Sequence, residues 1–121
     1  MTLERLDIAL SVCKVESLAD IRLDGGFWFV ARTDEELSLV CPTDEAPENA
    51  AAREDGWRAF RVAGILDFSL TGILSRLSGV LADNAIGLFA VSTYNTDYIL
   101  VKEENFDRAL RLLEQVGWTV I

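Results

Sequence analysis

The chain contains no histidine. That absence removes the commonest general base, the usual partner of a nucleophilic Ser or Cys, and most zinc or iron sites. Cysteine is scarce too. Cys13 and Cys41 stand apart, so there is no CxxC pair to hold a metal or run redox chemistry. Their neighbours alternate as strand residues do, and both read as small buried apolar side chains kept reduced, as in a cytoplasmic protein. No glycine-rich phosphate loop is present, and Gly25–Gly26 reads as a turn. Lys and Arg never cluster, and 11 bases stand against 20 acids for a net charge of −9. A polyanion is repelled by such a surface, because binding it depends on basic residues displacing counterions. Nucleic acid and anionic membrane are therefore not expected partners. Apolar stretches are interrupted within about ten residues, where a bilayer span needs roughly 20. Residues 1–12 carry Glu4, Arg5 and Asp7 without a basic start and apolar block, so they do not read as a secretory signal. The expected location is the cytoplasm.

The acids that remain do not pair into a catalytic couple. Asp34, Glu35 and Glu36, like Glu103 and Glu104, read as solvated helix starts rather than a general acid and base. No catalytic residue, metal or cofactor is expected, and an enzyme is the least favoured class.

What is present is a chain of 121 residues, half of them apolar and 26% charged, of a size that buries a real core. Residues 3–15 alternate imperfectly and predict a strand. Residues 27–31 (FWFVA) and 37–41 (LSLVC) predict two more, with Thr33 able to cap a short turn between them. Residues 42–56 hold both prolines and five acids and read as a loop or linker, with room for a frayed helical turn over 48–55. Trp57 to Val62 alternates cleanly and predicts a strand. Ile73, Leu74, Leu77, Val80 and Leu81 make one helical stripe, ended by Asp83-Asn84. Strands follow over 86–93 and 98–101, joined by a turn at 94–97. Glu103-Glu104-Asn105 opens a second helix whose stripe is Phe106, Ala109, Leu110, Leu113 and Val116. Gly117 stops it, and 118–121 is a last strand.

Residues 57–121 thus read β-α-β-β-α-β, an α+β, ferredoxin-like plan with two helices on one face of an antiparallel sheet. Residues 1–56 read as a reduced copy of that unit in element order, ending in the acidic loop.

Two segments carry polar chemistry. In the first, Gly64 to Ile73, a helix start leaves free N–H groups near Leu70 to Ile73 and its dipole favours an anion, with Gly72 permitting close approach. Equally, Asp67 or Ser69 caps this helix and Gly72 relieves packing. The second is Ser92-Thr93-Tyr94-Asn95-Thr96-Asp97, which crowds five polar side chains and a tyrosine around one hairpin, or is a plain turn that Asn and Asp suit.

The stretch Gly64-Ile65-Leu66-Asp67-Phe68-Ser69-Leu70-Thr71-Gly72-Ile73-Leu74 and the run from Ala85 to Val101, with Ser92-Thr93-Tyr94-Asn95-Thr96-Asp97-Tyr98 inside it, resemble the ACT-domain family. Gly26 to Leu37 is similar to the same branch, that of small bacterial tandem-ACT proteins related to aspartate-kinase regulatory domains and to CASTOR-type amino-acid sensors. The resemblance covers most of residues 26–121. It implies tandem ACT units, one reduced and one complete, that bind a free amino acid where two units meet and commonly form a homodimer. It also implies a ligand site at Asp67, Phe68, Ser69, Leu70, Thr71, Gly72 and Ile73, and at Ser92, Thr93, Tyr94, Asn95 and Asp97. Of the acids that read a basic ligand side chain in the arginine sensors, Asp97 is the evident counterpart, and Leu70 stands where a second is expected. The function so implied is a regulatory amino-acid-binding module. The alternative is a structural or protein-interaction domain that has lost its ligand.

Overall fold

The computed structural model describes residues 1–67 and 71–121. The elements in chain order are strand β1 (Thr2–Val15), a single 3-10 turn (Leu18–Asp20), β2 (Phe29–Arg32), β3 (Leu37–Pro42), a second 3-10 turn (Thr43–Glu45) and β4 (Ala52–Val62). Helix α1 (Ile73–Asp83), β5 (Phe89–Ser92), β6 (Asp97–Lys102), helix α2 (Glu103–Gln115) and β7 (Thr119–Val120) follow. The chain divides into two compact units, Ile8–Trp57 and Met1–Asp7 with Arg58–Ile121.

The larger unit is an antiparallel α+β sheet with two helices. Its strand order is β7, the start of β1, the end of β4, β6, β5. Phe60 and Val62 on β4, Ile99 and Val101 on β6 and Leu3 on β1 are all buried, and they pack with Ile73, Leu77 and Leu81 of α1 and Phe106, Ala109, Leu110 and Leu113 of α2. The period of two along the strands and the three- and four-residue spacing on the helices put these apolar side chains on one common face. Both helices therefore cover the same side of the sheet. Phe60 and Phe106 meet at 6.4 Å between ring centroids, and the Arg58 guanidinium lies 4.5 Å over the Phe106 ring.

Three expectations change here. Residues 57–121 do not close this sheet alone, because the first residues of β1 lie between β4 and β7. The last strand pairs with them in parallel, Thr2 with Thr119 and Leu3 with Val120. Local pattern says nothing about which distant strand takes a place in a ladder. Val116 also leaves the predicted stripe: it is the C-cap of α2 and 60% exposed.

The smaller unit has the order β2, β3, the end of β1, the start of β4. Cys13, Val15, Ile21, Leu37, Leu39 and Cys41 form its core. Both cysteines are free and buried. Residues 42–56 are not all loop. β4 begins at Ala52, so the frayed helical turn expected over 48–55 gives way to strand from 52 onward. Ser11 explains the strand: its buried hydroxyl donates to Asp55 Oδ1 at 2.5 Å, and Arg53 Nε pairs with the same carboxylate at 2.7 Å. A charged strand stabilised by such side-chain partners is indistinguishable from a loop by composition.

Within each unit one hairpin repeats the other. Phe29 pairs with Val40 and Arg32 with Leu37, while Phe89 pairs with Leu100 and Ser92 with Asp97, every counterpart sixty positions on. Both close with four residues and the same backbone bond, Thr33 N–H to Glu36 O at 2.9 Å and Thr93 N–H to Thr96 O at 2.8 Å.

Candidate functional site

Past β4 the backbone turns at Gly64, whose φ of +91° lies in the left-handed region that favours glycine. The chain is then fastened to the β5–β6 hairpin by two bonds. Leu66 N–H donates to Asn95 O at 2.7 Å, and the buried Thr96 hydroxyl donates to Val62 O at 2.6 Å. These bonds bring the two polar segments of the sequence together at one edge of the sheet.

Helix α1 starts three residues later than the earliest expected N–H donors. Gly72 is its N-cap, with φ +77°, and the first helical bond runs from Arg76 N–H to Gly72 O at 2.9 Å. Gly72, the N-cap residue, supplies no side-chain cap of its own. The N–H groups of Ile73, Leu74 and Ser75 precede the first intrahelical donor and point out of the helix end with its positive dipole.

The hairpin faces that end. Ile99 and Val101 project toward the helices, and the period of two puts Asp97 on the same side. Asp97 is the first residue of β6, not part of the turn, which is Thr93 to Thr96. Its Oδ1 accepts from the Ser92 hydroxyl at 2.6 Å. Thr93 Oγ1 donates to Thr96 O at 3.0 Å and stiffens the turn.

Between helix start and hairpin lies a cleft of about 290 Å³. Asp67, Gly72 and Ile73 line it from one side and Ser92, Thr93, Tyr94, Asn95 and Asp97 from the other. Thr71 is exposed and is not part of the lining. Phe68, Ser69 and Leu70 lie outside the described residues. Four lining residues were absent from the expected set: Leu66, Leu74, Ser75 and Thr96. Leu66 and Thr96 sit inside the two segments already singled out. Leu74 and Ser75 follow from the later start of the helix, which shifts the exposed first turn along the chain.

The cleft is lined by the first turn of α1, by the carboxylates of Asp67 and Asp97, by the hydroxyl-bearing Ser75, Ser92, Thr93, Tyr94 and Thr96, and by the apolar Leu66, Ile73 and Leu74. The charges and hydrogen-bonding groups of such a set are complementary to a small molecule carrying both charges.

A βαββαβ sheet of this kind with a polar cleft beside its first helix is a ligand-binding α+β module. A family model for the ACT domain matches residues 52–115, and the chain belongs to the ACT-domain family, a class of regulatory rather than catalytic modules. A crystal structure of a protein from Agrobacterium tumefaciens is 31% identical, with a TM-score of 0.87 over 99% of this chain and 91% of that one. A Vibrio cholerae protein described as of unknown function and a possible transport protein shares the fold at 21% identity, TM-score 0.74, over 94% and 88%. So does the ligand-free regulatory subunit of aspartate kinase from Thermus thermophilus, at 9% identity, TM-score 0.68, over 97% of each chain. No curated protein sequence matches the chain. Among the described residues no helix is long and apolar enough to cross a membrane.

Proposed function

We propose that this protein is a cytoplasmic regulatory module that binds a free amino acid in the cleft between α1 and the β5–β6 hairpin. The observation that carries the reading is the convergence of the start of α1 with Asp97 across a cleft of about 290 Å³. An α-carboxylate suits the N–H groups of Ile73 to Ser75, and an α-ammonium suits the carboxylate of Asp97. Ser92, Thr93, Tyr94 and Asn95 frame the same ligand, and Asp67 lines the cleft beside them.

The two hairpins of matching register support a tandem organisation, a reduced ACT-like unit followed by a complete one. In the reduced unit two 3-10 turns of three residues stand at the chain positions of α1 and α2. Regulation follows from population shift: a ligand that joins two units, here within a homodimer, stabilises one arrangement over others. A thermal-shift screen of the full chain against the twenty amino acids tests the reading, since a ligand that binds only the folded state raises the melting temperature. One or a few amino acids are expected to do so at millimolar concentration. No shift with any of them would leave the protein as an interaction domain without a ligand.

A further inference from the structure

The polar walls of the cleft are largely committed within the chain. The Ser92 hydroxyl donates to Asp97 Oδ1, the Thr93 hydroxyl to Thr96 O and the buried Thr96 hydroxyl to Val62 O. Those protons hold the hairpin together and are not on offer to a ligand. Asp67 likewise has a partner of its own within the chain. Asp97 uses Oδ1 alone in its bond to Ser92, which leaves Oδ2 for one cation. Ser75 and Asn95 are exposed, so water serves them whether or not a ligand is present. Exchanging such a hydrogen bond for one to a ligand changes affinity little.

The rest of the lining is apolar. Leu66, Ile73 and Leu74 face the cleft while they pack on the core of the larger unit, and Leu66 and Leu74 are only half-buried. Tyr94, on the facing hairpin, is 80% exposed. Covering such surface is favourable in proportion to the apolar area removed from water. No Lys or Arg is among the described residues that line the cleft, so an acidic ligand side chain would meet carboxylates and no cation. A basic side chain would need a second uncommitted carboxylate, and Asp67 is already engaged.

Resting on the amino-acid reading, we propose that the cleft selects an amino acid with an apolar, aliphatic side chain, seated on Leu66, Ile73 and Leu74 and covered by the Tyr94 ring. Asp97 holds the α-ammonium, and the apolar walls decide which amino acid follows it in. A cleft of about 290 Å³ stands at the small end of ligand sites, which suits one amino acid rather than a larger molecule.

The test titrates the full chain calorimetrically with the L forms of alanine, 2-aminobutyrate, norvaline, norleucine and lysine. Each methylene taken out of water strengthens binding by about fourfold. Affinity should therefore climb along the first four and rise more than about tenfold from alanine to norleucine. Lysine carries an ammonium beyond the same four carbons, and desolvating it without an acceptor is costly. It is expected to bind at least about tenfold more weakly than norleucine. Tyr94→Ala should narrow the gap between norleucine and alanine and leave alanine unchanged, and the exposure of Tyr94 spares the fold. Leu74→Ala should narrow it from the other wall. Equal affinities from alanine to norleucine, or lysine binding as tightly as norleucine, would overturn the apolar assignment and leave the amino-acid reading standing. So would an unchanged gap in both variants. Binding of no amino acid at all would overturn both readings.

Discussion

Asp97 is the residue on which the cleft's chemistry turns. It opens β6 on the side of the helices, and Ser92 donates to it at 2.6 Å. Replacement by Asn keeps the shape and the hydrogen bond and removes the charge. Loss of a charge-assisted bond of roughly 1.5–3 kcal/mol predicts about tenfold weaker binding or more for Asp97→Asn. A residue that only shaped the strand end would give equal calorimetric affinities. A second residue-scale prediction concerns Cys41. Burial first, then the neighbouring Cys13 and Glu45, push its thiol up from 9.0 to about 12. Between those values only the unfolded chain releases the proton, so stability falls as pH rises from about 9 toward 12. Denaturant melts across that range should show a shallower decline in Cys41→Ala than in wild type. Parallel declines would show that the thiol has no part in alkaline destabilisation.

At the scale of elements, the two hairpins share register and closing bond but not side chains. Where the second has Ser92, Thr96 and Asp97, the first has Arg32, Glu36 and Leu37. Leu37 is buried in the core of its unit, so the acid on the helix side is gone. The preceding 3-10 turn, Leu18 to Asp20, is too short to develop a helix dipole or a run of free N–H groups, and Ser17 already caps it at 3.1 Å. One ligand per chain follows. Calorimetric titration should saturate at one equivalent, and a second equivalent of comparable affinity would show that the reduced unit kept a site. The elements themselves were legible because their periods differ: two along β1 and β6, three and four along α1 and α2. The charged start of β4 was not, since Arg53, Glu54 and Asp55 carry no apolar alternation. Its place comes from bonds to Ser11 and Thr43, far away in the chain.

The whole molecule is expected to be a homodimer. Three Trp and six Phe are a generous aromatic supply, and Trp28, Leu18 and Leu23 remain substantially exposed. Light scattering at micromolar concentration should return twice the chain mass. A monomer at high micromolar concentration would sink this, and with it the joining of units by ligand. The sequence by itself determined the α+β plan, the two helices and the two polar segments, because residue type and spacing act over a few positions. Only the tertiary structure decided that β1 completes the larger sheet and that Leu66 and Thr96 fasten the segments into one cleft. Those arrangements depend on ladder partners and hydrogen bonds between residues distant in the chain. No local pattern encodes such partners.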